Sequence, residues 1–374
     1  MTARKVADTR RRRLIEAMKD AGLDVVVLYG NAWQNDYLRY AADFGILEGE
    51  GIAVVTSEGE TLLYLDDPFE ADRAAVECPG LETVVTDDIV ADAAAAIERL
   101  GNRRIAAGPK RHLPYGLARR REDRRFDDAT PILDRLLMVK AEEELQAVRR
   151  AARLADEGYA VFRNAARVGR KDYELIAEIE AFFRANGVED NFMIIGAGGP
   201  EVRGMAPPSG KMLKAGDLVT TELTPCVDGY YVQICRTLVI GKASEAQKKA
   251  FAVYHEAMIA GIDAVRPGIT AAAIAKAEND VFRRHGLGNY VTSEYTRVRG
   301  HGLGLFPDTK PHILEDVTTT IEEGMSLIVH PNTYHPDVGY MVLGDSLIVT
   351  GQGAQVLTTT PRELFSMAAD RRAA

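Results

Sequence analysis

Three side chains have the type and setting to do chemistry: Glu222, His301 and His330. Glu222 interrupts a run of Val, Thr and Leu, where a carboxylate is costly unless it is paired. His330 sits in the apolar run LIVHP. His301 occupies a Gly-His-Gly turn, whose glycines permit close backbone approach and leave the ring accessible. An imidazole titrates near neutrality, so each histidine is a candidate general base or ligand; the plainer reading of His330 is a buried neutral ring with one bonded nitrogen. With the carboxylate they form either a metal-free acid–base set or a two-His-one-carboxylate site for a single Fe, Mn or Zn ion. Cys235 is a nucleophile if His330 lowers its pKa, and otherwise a small buried apolar residue. Tyr230, Tyr231 and Tyr340 are of the type to line a pocket with apolar bodies and hydroxyl tips.

The elements that must position these residues are legible as a repeated plan. In KAGDLVTTELTPCVDGYYVQICRT, from Lys214 to Thr237, two runs rich in Val, Thr, Ile and Tyr flank Pro225, Asp228 and Gly229, which predicts a β-hairpin. A second passage, Glu322 to Val349, follows the same order, with Gly324 matching Gly216 and His330 matching Glu222. Upstream of each lies a helix stopped by glycine: ARVGRKDYELIAEIEAFFRANG from Ala166 and VRPGITAAAIAKAENDVFRRHG from Val265. At constant offset Leu175 matches Ile274, Phe183 matches Phe282 and Gly187 matches Gly286. Two α+β units about a pseudo-twofold axis are expected, with a pocket between them and Glu222 and His330 facing one cleft.

Ahead of this repeat, helical and strand-like runs alternate from Arg11 to about Leu133, the pattern of an α/β domain. The stretch Asp134 to Ala166 reads as one long amphipathic helix. A length of 374 residues favours two domains, taken as residues 1–133 and 134–374. The net charge of −9 argues against nucleic acid or an anionic membrane as the main partner. Only Lys110 to Arg125 is strongly basic, and its interleaved Asp and Glu favour a solvated surface loop over an anion site. Three scattered cysteines give no disulfide framework, and the basic N-terminus lacks the apolar core of a signal peptide. A cytoplasmic location is expected.

Several ordered motifs resemble the superfamily of creatinase, prolidase, aminopeptidase P and methionine aminopeptidase: LLMVKAEEELQAVRRAARLADEG, GDLV at Gly216, GYY…RT from Gly229 to Thr237, GHGLGL at Gly300, GMSLIVHP at Gly324 and DSLIVT at Asp345. The resemblance implies an α+β pita-bread domain preceded by a smaller creatinase-type α/β domain. It also implies a homodimer, in which the aromatic loop Trp33 to Phe44 reaches a neighbour's pocket unless it packs under its own strand ends.

Peptidase members of that superfamily hold two divalent metals with Asp, Asp, His, Glu and Glu. Carried over by position, these fall on Glu222, Gln233, His301, His330 and Gly344 or its neighbour Leu343. Two histidines that peptidases keep nearby fall on Met205 and near Asp308. Without bridging carboxylates two cations would repel, so no dinuclear centre and no cleavage of Xaa-Pro peptides is expected, and no cofactor is required. The hairpin is most similar to those of creatinase and ectoine hydrolase, which open C–N bonds without metal. The first expectation is therefore a creatinase-like hydrolase of a small polar compound, with His301, His330 and Glu222 as acid, base and orienting groups and Tyr230, Tyr231, Gln233, Cys235, Tyr340 and Asp308 around the substrate. The alternatives are a lyase or other proton-transfer enzyme, an Xaa-Pro peptidase like aminopeptidase P, and a non-catalytic binding module. Asp345 serves either the cleft or its own neighbourhood.

Overall fold

The computed structural model describes residues 2–119 and 126–367. The end of the basic segment, residues 120–125, lies outside the described residues. The chain divides into two compact units, Met1–Leu137 and Met138–Ala374.

The first unit alternates helix and strand in the order α1 (Thr2–Asp20), β1 (Val25–Asn31), α2 (Asp36–Ala42), β2 (Glu50–Thr56), β3 (Thr61–Leu65), α3 (Pro68–Glu77), β4 (Glu82–Val85), α4 (Ile89–Arg99), β5 (Ile105–Gly108), α5 (Tyr115–Arg119), β6 (Asp127–Asp128) and α6 (Thr130–Met138). Its sheet runs β4-β3-β2-β1-β5-β6. β1 pairs antiparallel with β2 and parallel with β5, so both its edges are bonded, and the continuous apolar run VVVL is buried on both faces. Of the aromatic loop, Tyr40 and Phe44 pack into this core, Tyr37 donates to Asp134 at 2.5 Å, and Trp33 is 88% exposed.

The second unit contains α7 (Glu142–Ala165), α8 (Asp172–Ala185), β7 (Asp190–Gly198), β8 (Leu218–Val227), β9 (Tyr230–Tyr231), β10 (Ile234–Ile240), α9 (Glu245–Ala264) and α10 (Ala271–Arg284). There follow β11 (Gly300–Gly302), β12 (Thr309–His312), β13 (Ser326–Val329), β14 (Asn332–His335), β15 (Gly339–Val342), β16 (Gly344–Thr350), β17 (Gly353–Val356) and β18 (Phe365–Met367). Its main sheet runs β12-β11-β13-β16-β10-β8-β7.

The expected single helix from Asp134 to Ala166 is two. The chain breaks at Val139–Ala141 because Val139 forms a bridge with Met325 and the Lys140 amide donates to the Gly324 carbonyl, an extended pairing no helix can make. α7 then restarts with the Glu144 carboxylate accepting from the Ala141 amide at 2.7 Å.

The internal repeat appears as matched elements. Leu175 and Phe183 on α8, like Ile274 and Phe282 on α10, are fully buried. Gly187 and Gly286, which end the two helices, share a φ of +77°, a conformation that glycine adopts without the Cβ penalty. Gly216 and Gly324, at +91° and +83°, turn the chain into β8 and β13. Among the described residues no helix is long and apolar enough to cross a membrane.

Candidate active site

Glu222 lies mid-way along β8, paired with Ile194 on β7 and Cys235 on β10. His301 is carried by the short strand β11, and His330 follows directly on β13, the neighbour of β11. The two imidazole rings meet edge to face, with centroids 5.3 Å apart at 70°. Glu222, Gln233, His301, His330, Asp308 and Tyr340 line one cavity of about 620 Å³. Among the other expected site residues, Tyr230, Tyr231 and Cys235 are not on its wall. The Tyr230 hydroxyl donates to Glu144 at 2.5 Å, the Tyr231 hydroxyl donates to Asp190 at 2.7 Å, and Cys235 is fully buried.

Two carboxyls of this cavity titrate far apart. Burial raises Glu222 to about 7, which hydrogen bonds from Gln233 and Cys235 only partly offset. Burial also works to raise Asp308, but the bond from His312 and the charges of His301, Arg297 and His312 outweigh it and hold Asp308 at about 2. His312 Nε2 stands 3.0 Å from Asp308 Oδ1, and Arg297 pairs with Oδ2 at 2.9 Å. Asp308 is therefore ionised at neutrality while Glu222 is poised to exchange a proton there.

The histidines are lowered. Burial depresses His301, opposed by Asp308, whose Oδ1 is 3.9 Å from His301 Nδ1. Burial and then the neighbouring His301 bring His330 down to about 3. His301 Nδ1 lies 2.9 Å from the Gly302 carbonyl, an acceptor, so this nitrogen carries the proton and Nε2 keeps the lone pair. Burial, followed by the Glu222 charge, pushes the Cys235 thiol well up, the opposite of an activated nucleophile.

Asp345 faces away from this chemistry. It is fully buried and accepts from Arg236 Nη2 at 2.7 Å, Thr358 at 2.8 Å and Arg362 Nε at 2.6 Å. Arg236 Nη2 also donates to the Thr360 carbonyl at 2.7 Å. Asp156 on α7 accepts from the amides and hydroxyls of Thr359 and Thr360.

The wall also holds residues that sequence reasoning passed over, notably Asn332, Thr296, Tyr295 and Arg203. Asn332 had a signal: it stands two positions beyond His330 in extended chain, where i and i+2 share a face. Thr296 and Tyr295 come from an irregular loop, which has no periodicity to read.

A family model described as Metallopeptidase family M24 matches residues 146–351, and one described as Creatinase/Prolidase N-terminal domain matches residues 10–139. The chain is 26% identical to the Xaa-Pro dipeptidase of Pyrococcus horikoshii over 95% of its own length and 98% of that protein's. It is also similar to the solved Xaa-Pro dipeptidase of Bacillus anthracis (25% identity, TM-score 0.84, 96% and 100% covered). The prolidase of Pyrococcus horikoshii matches at 25% identity and a TM-score of 0.83, covering 95% and 99%.

These relatives correct two expectations. The first reading, a creatinase-like hydrolase of a small polar compound, gives way to the peptidase alternative, because the relatives that match over nearly the full length are named Xaa-Pro dipeptidases and prolidase. The expectation that no cofactor is required is overturned likewise, since the matching family is one of metallopeptidases and favours a divalent ion.

The side chains present do not fit a dinuclear pair. The five carried-over positions hold one carboxylate, one amide, two imidazoles and a glycine or its neighbouring leucine, and a Cβ on Gly344 would fall 2.4 Å from the His330 Cβ. Among the described residues no three His, Cys, Asp or Glu side chains stand together as an ion would need, which includes the single-ion set Glu222, His301 and His330.

Proposed function

Because the chain belongs to metallopeptidase family M24, we propose that its cavity hydrolyses the C–N bond of a small peptide of the Xaa-Pro class. The observation that carries this reading is the split pair of carboxyls, Glu222 at about 7 and Asp308 at about 2, in one cavity of about 620 Å³ that takes a molecule of dipeptide size.

The chain's own residues divide the work of amide hydrolysis. His301 presents the Nε2 lone pair and takes a proton from the attacking water, and ionised Asp308 beside it favours the imidazolium that results. The water oxygen bonds to the carbonyl carbon, and the carbonyl π pair moves onto its oxygen. Return of the oxyanion pair re-forms the carbonyl and breaks the C–N bond, whose electron pair leaves with the nitrogen as protonated Glu222 gives it a proton. Transfer of the proton from His301 back to Glu222 resets both groups. The net reaction is peptide plus water to carboxylic acid plus amine.

The test is turnover of Xaa-Pro dipeptides against dipeptides without proline. Each is assayed once after chelation and once with added Mn or Co. Release of proline in either condition is the expected result. Absence of release in both overturns the reading. Turnover only with added ion would show that the chain holds an ion despite the poor fit of the carried-over positions.

A further inference from the structure

Asn332 is 5% exposed, and its side chain lies between two partners. Its Nδ2 is 2.9 Å from His330 Nδ1, and its Oδ1 faces the Thr296 hydroxyl, whose single proton it shares with the Val298 carbonyl at 3.1 Å. An amide nitrogen only donates, so Nδ1 of His330 is the acceptor in this pair. In a neutral imidazole the proton then resides on Nε2. That nitrogen has no protein partner among the described residues, and His330 lines the cavity.

The arrangement is braced from behind by Arg299, which is 1% exposed. The Arg299 carbonyl accepts from the His330 amide at 2.9 Å, and its Nη1 donates to the Asn332 carbonyl. Its Nε is held by Asn279 Oδ1 at 2.5 Å, and its guanidinium lies 5.1 Å from the Phe282 ring centroid. One buried residue thus holds the backbone on both sides of Pro331, His330 through its carbonyl and Asn332 through its guanidinium. The His330–Asn332 geometry is set by the fold rather than by a mobile contact.

We propose that His330 is a hydrogen-bond donor to the substrate, its Nε2–H set by Asn332, and that it stabilises the oxyanion formed on the attacked carbonyl. This rests on the hydrolytic reading above and deepens it: His301 and His330 are opposite tautomers, one an acceptor and the other a donor. Their rings lie edge to face with centroids 5.3 Å apart, and both residues line the one cavity that would hold the substrate. Asn332 is a positioning residue that acts through His330. The same tautomer denies Nε2 of His330 to a cation, in line with the poor fit of the ligand set.

The decisive measurement is ¹⁵N NMR of histidine-labelled protein, with His330 assigned by loss of its signals in His330→Gln. The expected pattern is a protonated, pyrrole-type Nε2 and an unprotonated, pyridine-type Nδ1. It should not change on adding Mn. The reverse pattern, in which the Asn332 amide is turned and Nδ1 carries the proton, overturns the proposal, as does an imidazolium at pH 7. This readout holds whatever the substrate, so its failure is distinct from failure of the Xaa-Pro assay.

Asn332→Asp accepts from Nδ1–H, so it should switch the pattern and lower kcat by roughly 10²-fold with KM little changed. His330→Gln, which keeps an amide donor, should retain more activity than His330→Glu. Equal loss in these two variants, both folded, overturns the donor role.

Discussion

Gly344 and His330 are packed so closely that a single methyl on Gly344 would sit 2.4 Å from the His330 Cβ and 3.0 Å from its Cα. In the carry-over from the superfamily, two of its carboxylates fall on His330 and on Gly344 or its neighbour Leu343, none of which can supply a carboxylate. Gly344→Ala is predicted to destabilise the protein by roughly 1–3 kcal/mol, the range for overpacking a filled site. Chemical denaturation measures it; a variant as stable as the parent would show that the backbone around His330 yields freely.

Glu222 sets a limit on activity at high pH. As a general acid at about 7, it must be protonated to work, so the rate should fall as pH rises through 7. Glu222→Gln should abolish that limb and lower kcat by roughly 10²–10⁴-fold. Stability has a related sign. The unfolded chain ionises Glu222 near 4.5, whereas the folded protein holds the proton to about 7, so the parent loses stability as pH rises across this window. At pH 8 Glu222→Gln should be the more stable protein, by on the order of 3 kcal/mol at most. A pH–rate profile and paired melts at pH 4 and pH 8 check both parts.

Asp308 is shifted the other way. Its carboxyl is held at about 2, below the ordinary 3.8, so the stability it contributes is present above pH 4 and is lost as pH falls towards 2. Asp308→Asn also removes the charge that favours protonated His301. The acid limb of the rate profile should move to lower pH, and kcat at neutrality should drop by at most about tenfold for each unit by which the base weakens. An unchanged profile would separate Asp308 from the base.

The exposed Trp33, with Leu47, Phe69 and Val76 also exposed on the first unit, leads us to expect a homodimer. Light scattering at micromolar concentration should give twice the chain mass, and Trp33→Glu should lower it. A monomeric parent would leave the aromatic loop with only its local packing role.

Much of the fold was legible because repetition does not depend on propensity. The matched glycines and the pairs Leu175/Ile274 and Phe183/Phe282 announce two similar units whatever the local helix or strand tendency. Glu222, His301 and His330 were legible as polar residues in apolar surroundings. The break at Val139 was not, since LLMVKAEEEL keeps helical periodicity throughout and only the distant Met325 and Gly324 impose the extended pairing. Tyr230, Tyr231 and Cys235 were drawn towards the cavity by their place in the hairpin. The strand's alternation and the partners Glu144 and Asp190 direct them elsewhere, which no run of residues around them encodes. The proton positions on the two imidazoles depend on Gly302 and Asn332, so they follow from hydrogen bonds rather than from residue type.

The Arg236–Asp345 pair reaches well beyond its own strands. Asp345 adjoins Gly344 on β16; its second oxygen is neutralised by Arg362, and its neighbour Arg236 is tied to Thr360. A chain cut back behind Thr358 would keep every residue of the candidate site, yet the Asp345 carboxylate would lose Arg362 and Arg236 would lose the Thr360 carbonyl.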